Sequence, residues 1–179
     1  MKFINNSSDL AKFLSIKIIR QSKITNISTD TRGLKVGSLF FAIKGEQFNG
    51  NDYVEDALKK GASFVVTDSR RFKSTNDKNI IYVNNTIVAL RKIAKNILKK
   101  FNGDVIGVTG SNGKTTTTKI ISSVLNKSSG TIKNYNNEIG MPLSIINANA
   151  NSKYLVIEMG AAKPKDIQYL SSLLKPNIG

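Results

Sequence analysis

Asp104-Val105-Ile106-Gly107-Val108-Thr109-Gly110-Ser111-Asn112-Gly113-Lys114-Thr115-Thr116-Thr117-Thr118 is the stretch that decides the fold of this chain. Its apolar run, Val105 to Val108, reads as a buried parallel strand. The run breaks into Gly110-Ser111-Asn112-Gly113, and Lys114, Thr115 and Thr116 lead into a helical segment. Strand, glycine-rich turn and helix in that order make a cradle for a nucleotide triphosphate. The glycines let backbone N–H groups curl around phosphate oxygens, and the helix points its positive end at them. Residues Gly110, Ser111, Asn112, Gly113, Lys114, Thr115 and Thr116 are therefore the nucleotide-binding candidates. Lys114 belongs on the β and γ phosphates and the Thr115 hydroxyl on Mg2+. One position departs from the common pattern, which places glycine five residues before Gly113, where Val108 stands.

A second strand, Tyr154-Leu-Val-Ile-Glu158, ends in a carboxylate. In open α/β sheets ligands gather at the carboxyl ends of the strands, so Glu158 and the loop should meet in one crevice. Mg2+ takes oxygen ligands and keeps several waters, which makes Thr115 and Glu158 a sufficient protein set. Two weaker candidates lie earlier. Gly45-Glu46 and Asn49-Gly50 read as turns, and Thr31 with Arg32 offers a planar fork of donors suited to a diphosphate.

Composition narrows the function classes. The 179 residues suffice for one large or two small domains, and 40% hydrophobic content is ordinary for a protein with a core. Cysteine and histidine are both absent. That excludes thiol nucleophiles, disulfides and Cys- or His-based zinc sites within the chain. No apolar run approaches the ~20 residues of a membrane span, and Met1-Lys-Phe-Ile-Asn-Asn-Ser7 has no signal-peptide core. A cytoplasmic enzyme without membrane insertion is the expectation. The net charge of +15 invites a nucleic-acid reading. However, the basic residues are mostly dispersed lysines, the densest group being Arg70-Arg71-Phe72-Lys73, and aromatics do not interleave with them as stacking platforms require. A solvated basic surface is preferred, and its field also suits anionic nucleotides.

Along the chain, Ser7-Ser8-Asp9 caps a helix carrying Leu10, Phe13, Leu14 and Ile18. Ile24–Ile27, Gly37–Ile43, Ser63–Thr67 and Asn79–Val83 read as strands. Tyr53–Lys60 is a helix stopped by Gly61, and Thr86–Phe101 an amphipathic one. After the loop come a helix over Thr116–Leu125, a loop over Asn126–Gly130, a short strand at Thr131–Lys133 and a polar turn at Asn134–Pro142. An apolar segment, Leu143–Ile146, follows, then a helix from Pro164 to Leu174 and the start of a further strand at Asn177–Gly179. The class is α/β. Residues 1–84 form a small N-terminal α/β domain, 85–103 a connecting helix and linker, and 104–179 the first part of a P-loop domain with a mostly parallel sheet.

These motifs in this order resemble the Mur ligases. Gly107-Val-Thr-Gly-Ser-Asn-Gly-Lys-Thr-Thr-Thr117 is similar to their nucleotide loop, which also tolerates a residue other than glycine where Val108 stands. Ser28-Thr-Asp-Thr-Arg32, Gly37-Ser-Leu-Phe-Phe-Ala-Ile-Lys-Gly-Glu46 and Gly61-Ala62 resemble their N-terminal UDP-substrate domain. Asn134-Tyr-Asn-Asn-Glu-Ile-Gly-Met-Pro142 and Val156-Ile-Glu-Met-Gly-Ala161 resemble the members that add D-alanyl-D-alanine. The Thr-Thr-Pro and Ser-Ser-His elements of the diaminopimelate- or lysine-adding members are absent. Three departures stand out: Thr31 in place of a serine, Asn51 in place of a histidine, and Lys163-Pro-Lys-Asp166 in place of a Gly-Glu segment.

The resemblance implies an ATP- and Mg2+-dependent ligase of peptidoglycan precursor synthesis, acting as a monomer. It would join UDP-N-acetylmuramoyl-tripeptide to D-alanyl-D-alanine through an acyl phosphate. Lys114 and Glu158 become the catalytic residues, Thr115 and Glu158 the metal ligands, and Thr31, Arg32, Gly45, Asn136 and Asn137 the substrate-binding residues. Family members continue past the position of Gly179, through a metal loop, a carbamylated lysine and a C-terminal domain, so the 179-residue chain alone is expected to be inactive. Two rivals remain: another amide ligase of the folylpolyglutamate type, and a basic nucleic-acid-binding P-loop NTPase.

Overall fold

The computed structural model describes residues 2–45 and 47–179. Glu46, part of the Gly45-Glu46 turn expected from the sequence, lies outside the described residues. The chain divides into two compact units, Ile4–Lys92 and Ile93–Gly179, the latter taking in the N-terminal residues up to Phe3. The division falls inside a helix.

The first unit is built on a four-stranded, wholly parallel sheet in sequential order. Its strands are β1 (Ile27–Ser28), β2 (Leu39–Phe41), β3 (Phe64–Thr67) and β4 (Ile80–Tyr82). Register runs Ile27 to Leu39, Leu39 to Phe64 and Val65 to Ile80. Leu39-Phe-Phe41 and Phe64-Val-Val-Thr67 are buried at every position. That is the continuous apolar pattern of parallel strands covered on both faces. Phe40, Ala42 and Val65 pack with Val54, Ala57 and Ala62 around helix α2 (Val54–Lys59).

Helix α1 (Ser7–Leu14) is capped one residue earlier than the sequence suggests. The Asn6 side chain accepts from Asp9 N–H at 3.0 Å, while the Asp9 carboxylate accepts from Asn5 N–H at 3.0 Å. Ser15 then turns left-handed and closes the helix, leaving Ile18 outside it. A 3-10 turn over Gly50–Tyr53 leads into α2, and a second, unforeseen one covers Arg70–Phe72. Helix α3 (Thr86–Lys100) follows the predicted amphipathic period closely, because its apolar residues recur every three to four positions.

The second unit holds β5 (Asp104–Val108), β6 (Ser128–Gly130) and β7 (Tyr154–Glu158), all parallel in the order β5-β7-β6. Ile106, Val108 and Val156 form a core, and Ile121 of α4 (Lys114–Val124) and Leu125 at its C-terminal cap pack against it. The strand expected at Thr131–Lys133 forms instead at Ser128–Gly130, within the expected loop. Three small residues carry little strand signal of their own, and pairing with Tyr154–Val156 imposes the strand on them.

Three helix starts also shift. Helix α4 begins at Lys114 rather than Thr116. Helix α5 (Gly140–Ile146) extends back into the expected turn, because the Asn137 side chain accepts from Ile139 and Gly140 N–H at 3.1 and 2.8 Å. Pro142 falls in its first turn, where a missing N–H costs nothing. Helix α6 (Asp166–Leu174) begins after Pro164, since the Asp166 carboxylate accepts from Ala162 and Lys163 N–H at 2.9 and 2.8 Å and folds the preceding loop back. Asn177 and Ile178 run parallel to β5 on its other side, with Gly107 N–H donating to Ile178 C=O at 2.9 Å. Among the described residues no helix is long and apolar enough to cross a membrane.

Candidate active site

Register assembles the candidate site. β5 and β7 pair so that Val108 lies beside Glu158, and Met159 N–H donates to Val108 C=O at 2.8 Å. Both strands therefore end together, and the loop leaving Val108 begins at the carboxylate leaving β7. Gly110 and Gly113 take positive φ values of 150° and 77°, the second as cap of α4. A side chain is strained in that backbone, which explains glycine at the turn into the helix. The first turn of α4 carries no acidic residue, so its unpaired N–H groups face outward with a positive field.

Four contacts fix Glu158, which is only 2% exposed. The Thr115 hydroxyl donates to Oε2 at 2.7 Å and Asn136 Nδ2 donates to Oε1 at 2.7 Å. Glu158 N–H donates to Thr131 Oγ1 at 2.7 Å, and the strand ladder holds the backbone. Gly160 packs on the same asparagine: its N–H donates to Asn136 C=O at 2.8 Å, and an added Cβ would lie 2.7 Å from Asn136 Cγ. Lys114 Nζ donates to the C=O of Gly110 at 2.7 Å and of Ser111 at 3.2 Å, folding over its own loop. Ser111, Asn112, Gly113, Thr115 and Thr116 are exposed around it.

The set Thr115 hydroxyl, Glu158 carboxylate and Asn136 amide fits a hard cation. Every group is an oxygen ligand or bonded to one, and among the described residues no three His, Cys, Asp or Glu side chains gather. A single carboxylate with one hydroxyl suits Mg2+, whose shell is completed by phosphates and water. A separate cleft of about 520 Å³, lined by Phe101, Asp104, Lys153 and Tyr154 among others, opens at the amino ends of β5 and β7. It contains none of the loop residues and sits at the end of a parallel sheet where ligands are not expected.

Asn136 and Asn137, adjacent in sequence, have different tasks. Asn136 touches Glu158, whereas Asn137 spends its carbonyl on the start of α5. The candidates of the first unit are placed as follows. Arg32, its side chain 89% exposed, forks onto Asp30 of its own loop, with Nη2 2.6 Å from Oδ2. Thr31 is buried; its hydroxyl bonds Asp56 and its C=O accepts from Lys60 Nζ at 3.1 Å. The Lys60 ammonium beside Asp56, helped by Thr31, holds the Asp56 carboxyl below its ordinary range. Gly45 turns tightly, its N–H donating to Phe48 C=O at 2.8 Å.

A buried polar cluster at the carboxyl end of β3 has no counterpart in the sequence reading. Asn51, standing where a histidine was expected, accepts from Thr67 Oγ1 at 2.6 Å and donates to Asp68 Oδ1 at 2.9 Å. Asp68 Oδ2 in turn accepts from Thr86 N–H and Oγ1, both at 3.1 Å, and so caps α3. The signal was the acidic residue just past an apolar strand; its partner 18 residues away was not legible.

Comparison with known proteins agrees with this layout. Residues 23–101 match the family described as Mur ligase family, catalytic domain, and residues 108–179 match the Mur ligase middle domain. The UDP-N-acetylmuramoyl-tripeptide–D-alanyl-D-alanine ligase of Bacillus subtilis is 39% identical over 163 residues, covering 88% of this chain and 35% of that protein. The enzyme of the same name from Buchnera aphidicola (subspecies Baizongia pistaciae) is 37% identical, covering 92% of this chain and 40% of its own length. The crystal structure of the MurF ligase from Thermotoga maritima in complex with ADP superposes with a TM-score of 0.70 at 34% identity, covering 83% of this chain and 35% of that one. MurF from Acinetobacter baumannii superposes with a TM-score of 0.82 at 26% identity, covering 97% and 40%. The chain thus spans about two fifths of the length of these relatives.

Proposed function

This chain belongs to the Mur ligase family, and on that footing we propose that it is the UDP-substrate and phosphate-loop part of an ATP-dependent ligase joining D-alanyl-D-alanine to UDP-N-acetylmuramoyl-tripeptide in the cytoplasm. The observation that carries the chemistry is the meeting of Thr115 and Glu158 at 2.7 Å beside the loop. The relatives' names carry the choice of substrates.

In this reading the loop amides and Lys114 receive the phosphates of ATP. Lys114 exchanges the carbonyls of Gly110 and Ser111 for phosphate oxygens, a stronger, charge-assisted pairing. Thr115 and Glu158 would hold Mg2+, which when bound neutralises phosphate charge. Asn136 and Thr131 fix Glu158 from outside. The γ-phosphoryl group passes to the terminal carboxylate of the tripeptide, where the protein contributes positioning and charge stabilisation rather than covalent chemistry. The amine of D-alanyl-D-alanine then attacks the acyl carbon, phosphate leaves, and the amide bond remains. Thr31, Arg32 and Gly45 are proposed to face the UDP portion.

The test has two arms. The 179-residue chain is titrated with MgATP, with binding expected; no binding removes the loop from the mechanism. The protein that contains this chain is assayed for phosphate release with UDP-N-acetylmuramoyl-tripeptide and D-alanyl-D-alanine, and with pteroyl and glutamate substrates in parallel. Turnover on the second pair alone would replace this reading with the folylpolyglutamate one.

A further inference from the structure

The sequence contains three Asn-Gly pairs: Asn49-Gly50, Asn102-Gly103 and Asn112-Gly113. Glycine after asparagine leaves the glycine nitrogen unshielded, so it can attack the asparagine side-chain carbonyl carbon. In a folded chain the outcome depends on how firmly both groups are held. Asn49 is held: its Oδ1 accepts from Asn51 N–H at 3.2 Å and Asn51 Nδ2 at 3.1 Å, while Gly50 N–H, the would-be nucleophile, donates to Ile43 C=O at 2.8 Å. Asn102 is exposed, but Gly103 is half-buried and pressed on the Lys153 carbonyl, where an added Cβ would come within 2.2 Å of the oxygen, so its nitrogen has little room to move onto the asparagine side chain. Asn112 differs from Asn49 in both groups, and from Asn102 in the freedom of the glycine that follows. It is exposed, and among the described residues its side chain and the Gly113 N–H have no hydrogen-bond partner. The space around Gly113 is open, with only Thr117 Oγ1, at 4.0 Å, near an added Cβ.

We propose that Asn112 is a site of spontaneous deamidation that disables the phosphate loop, and that bound nucleotide protects it. The Gly113 nitrogen gives its proton to base and bonds to Asn112 Cγ. The Cγ–Nδ2 bond breaks, and Nδ2 leaves as ammonia after gaining a proton from water. Water then opens the cyclic imide at either carbonyl, giving aspartate or isoaspartate at position 112. Both products put a carboxylate among amides meant for phosphate, and isoaspartate also adds a methylene to the main chain of a loop whose geometry is fixed by two positive-φ glycines. The protection half of the proposal rests on the nucleotide reading of the loop, in which a phosphate oxygen accepts the Gly113 N–H and holds the attacking atom.

The test incubates the 179-residue chain at mildly alkaline pH, with and without saturating MgATP, and follows all three asparagines by peptide mapping. MgATP binding to the fresh and the aged chain is titrated separately. Without nucleotide, Asn112 is expected to convert at least about tenfold faster than Asn49, whose reaction needs local opening. MgATP should slow Asn112 about tenfold and leave Asn49 and Asn102 unchanged, and the converted chain should bind MgATP at least about tenfold more weakly, the weight of one lost charge-assisted contact. Conversion of Asn112 no faster than that of the other two overturns the proposal. Binding of MgATP without slowing overturns the protection half. Absence of binding to the fresh chain refutes the nucleotide reading instead, while conversion of Asn112 is judged by its own rate.

Discussion

Replacing Gly160 by alanine tests the architecture around Glu158 without touching it. Gly160 is absent from the positive-φ positions, so its backbone accepts alanine. The difficulty is space: the new Cβ would stand 2.7 Å from Asn136 Cγ and 2.8 Å from both its Nδ2 and Oδ1. All three atoms belong to one side chain, which must swing away and withdraw Nδ2 from its 2.7 Å bond to Glu158 Oε1. A carboxylate exposed by only 2% then loses a donor, a loss of about 1.5–3 kcal/mol for a charged group. Gly160→Ala should therefore destabilise the second unit by about that amount, and Asn136→Ala should do the same. In the Asn136→Ala background the clashing atoms are gone, so adding Gly160→Ala should cost under about 0.5 kcal/mol. Hydrogen-exchange protection of the β7 amides, measured for the four proteins, reads this unit directly. An equal cost of Gly160→Ala in both backgrounds would refute the coupling and leave Asn136 a bystander.

Other perturbations separate ligand binding from folding. Lys114→Ala should weaken MgATP binding about tenfold to a hundredfold, the weight of a lost charge-assisted bond, while urea unfolding moves by less than about 0.5 kcal/mol because Nζ only bonds exposed loop carbonyls; unchanged affinity would remove Lys114 from the nucleotide site. Asp68→Ala strips the cap from Thr86 and the partner from Asn51 Nδ2, and should cost about 1–3 kcal/mol in urea unfolding, with Asp68→Asn recovering part; a neutral Asp68→Ala would show the cluster to be ornamental. The backbone N–H groups of Ala162 and Lys163 hold the Asp166 carboxyl below its ordinary value. Since the folded value lies below the unfolded one, the stabilisation is complete above the unfolded value and is lost as pH falls through the folded one. Amide exchange in the first turn of α6, corrected for its intrinsic pH dependence, should therefore lose protection in strongly acidic solution, and Asp166→Ala should abolish that pH dependence.

Most of the frame could be read because each long element carries its own signal. β5, β7 and the strands of the first unit are apolar runs, and α3 repeats its apolar face over 15 residues. Failures cluster where a segment takes its structure from elsewhere. Ser128-Ser-Gly130 is a strand because Tyr154–Val156 is beside it. Glycine is favoured at its last position because a Cβ would come within 3.0 Å of Ser122 Oγ and 3.3 Å of Val156 C=O. Gly140-Met-Pro142 looks like a turn until the Asn137 side chain, two residues before the N-cap Ile139, accepts from Gly140 N–H. The site divides the same way. Lys114 and Thr115 follow from a local motif and Glu158 from a strand end, but Asn136 and Thr131 reach Glu158 across 22 and 27 residues, and no local pattern announces that.

Those long-range contacts also set how the site can operate. A buried carboxylate without donors would be costly, yet Glu158 has each oxygen bonded, one to Thr115 and one to Asn136. Both carboxylate oxygens of Glu158 are thus satisfied within the protein itself. If Mg2+ sits between Thr115 and Glu158 as proposed, it would replace their 2.7 Å bond, and about 1.5–3 kcal/mol of its binding would go to replacing that contact. Asn136 lies on the opposite oxygen and need not move. In the proposed reading, the carboxylate would exchange its Thr115 partner for Mg2+ while Asn136 keeps its orientation, so that Glu158 would be preorganised as a ligand. On this argument Thr115→Ser, which keeps the hydroxyl, should leave the metal dependence of nucleotide binding nearly unchanged. Thr115→Val, which removes it, should lose that dependence even though Glu158 and Asn136 remain in place.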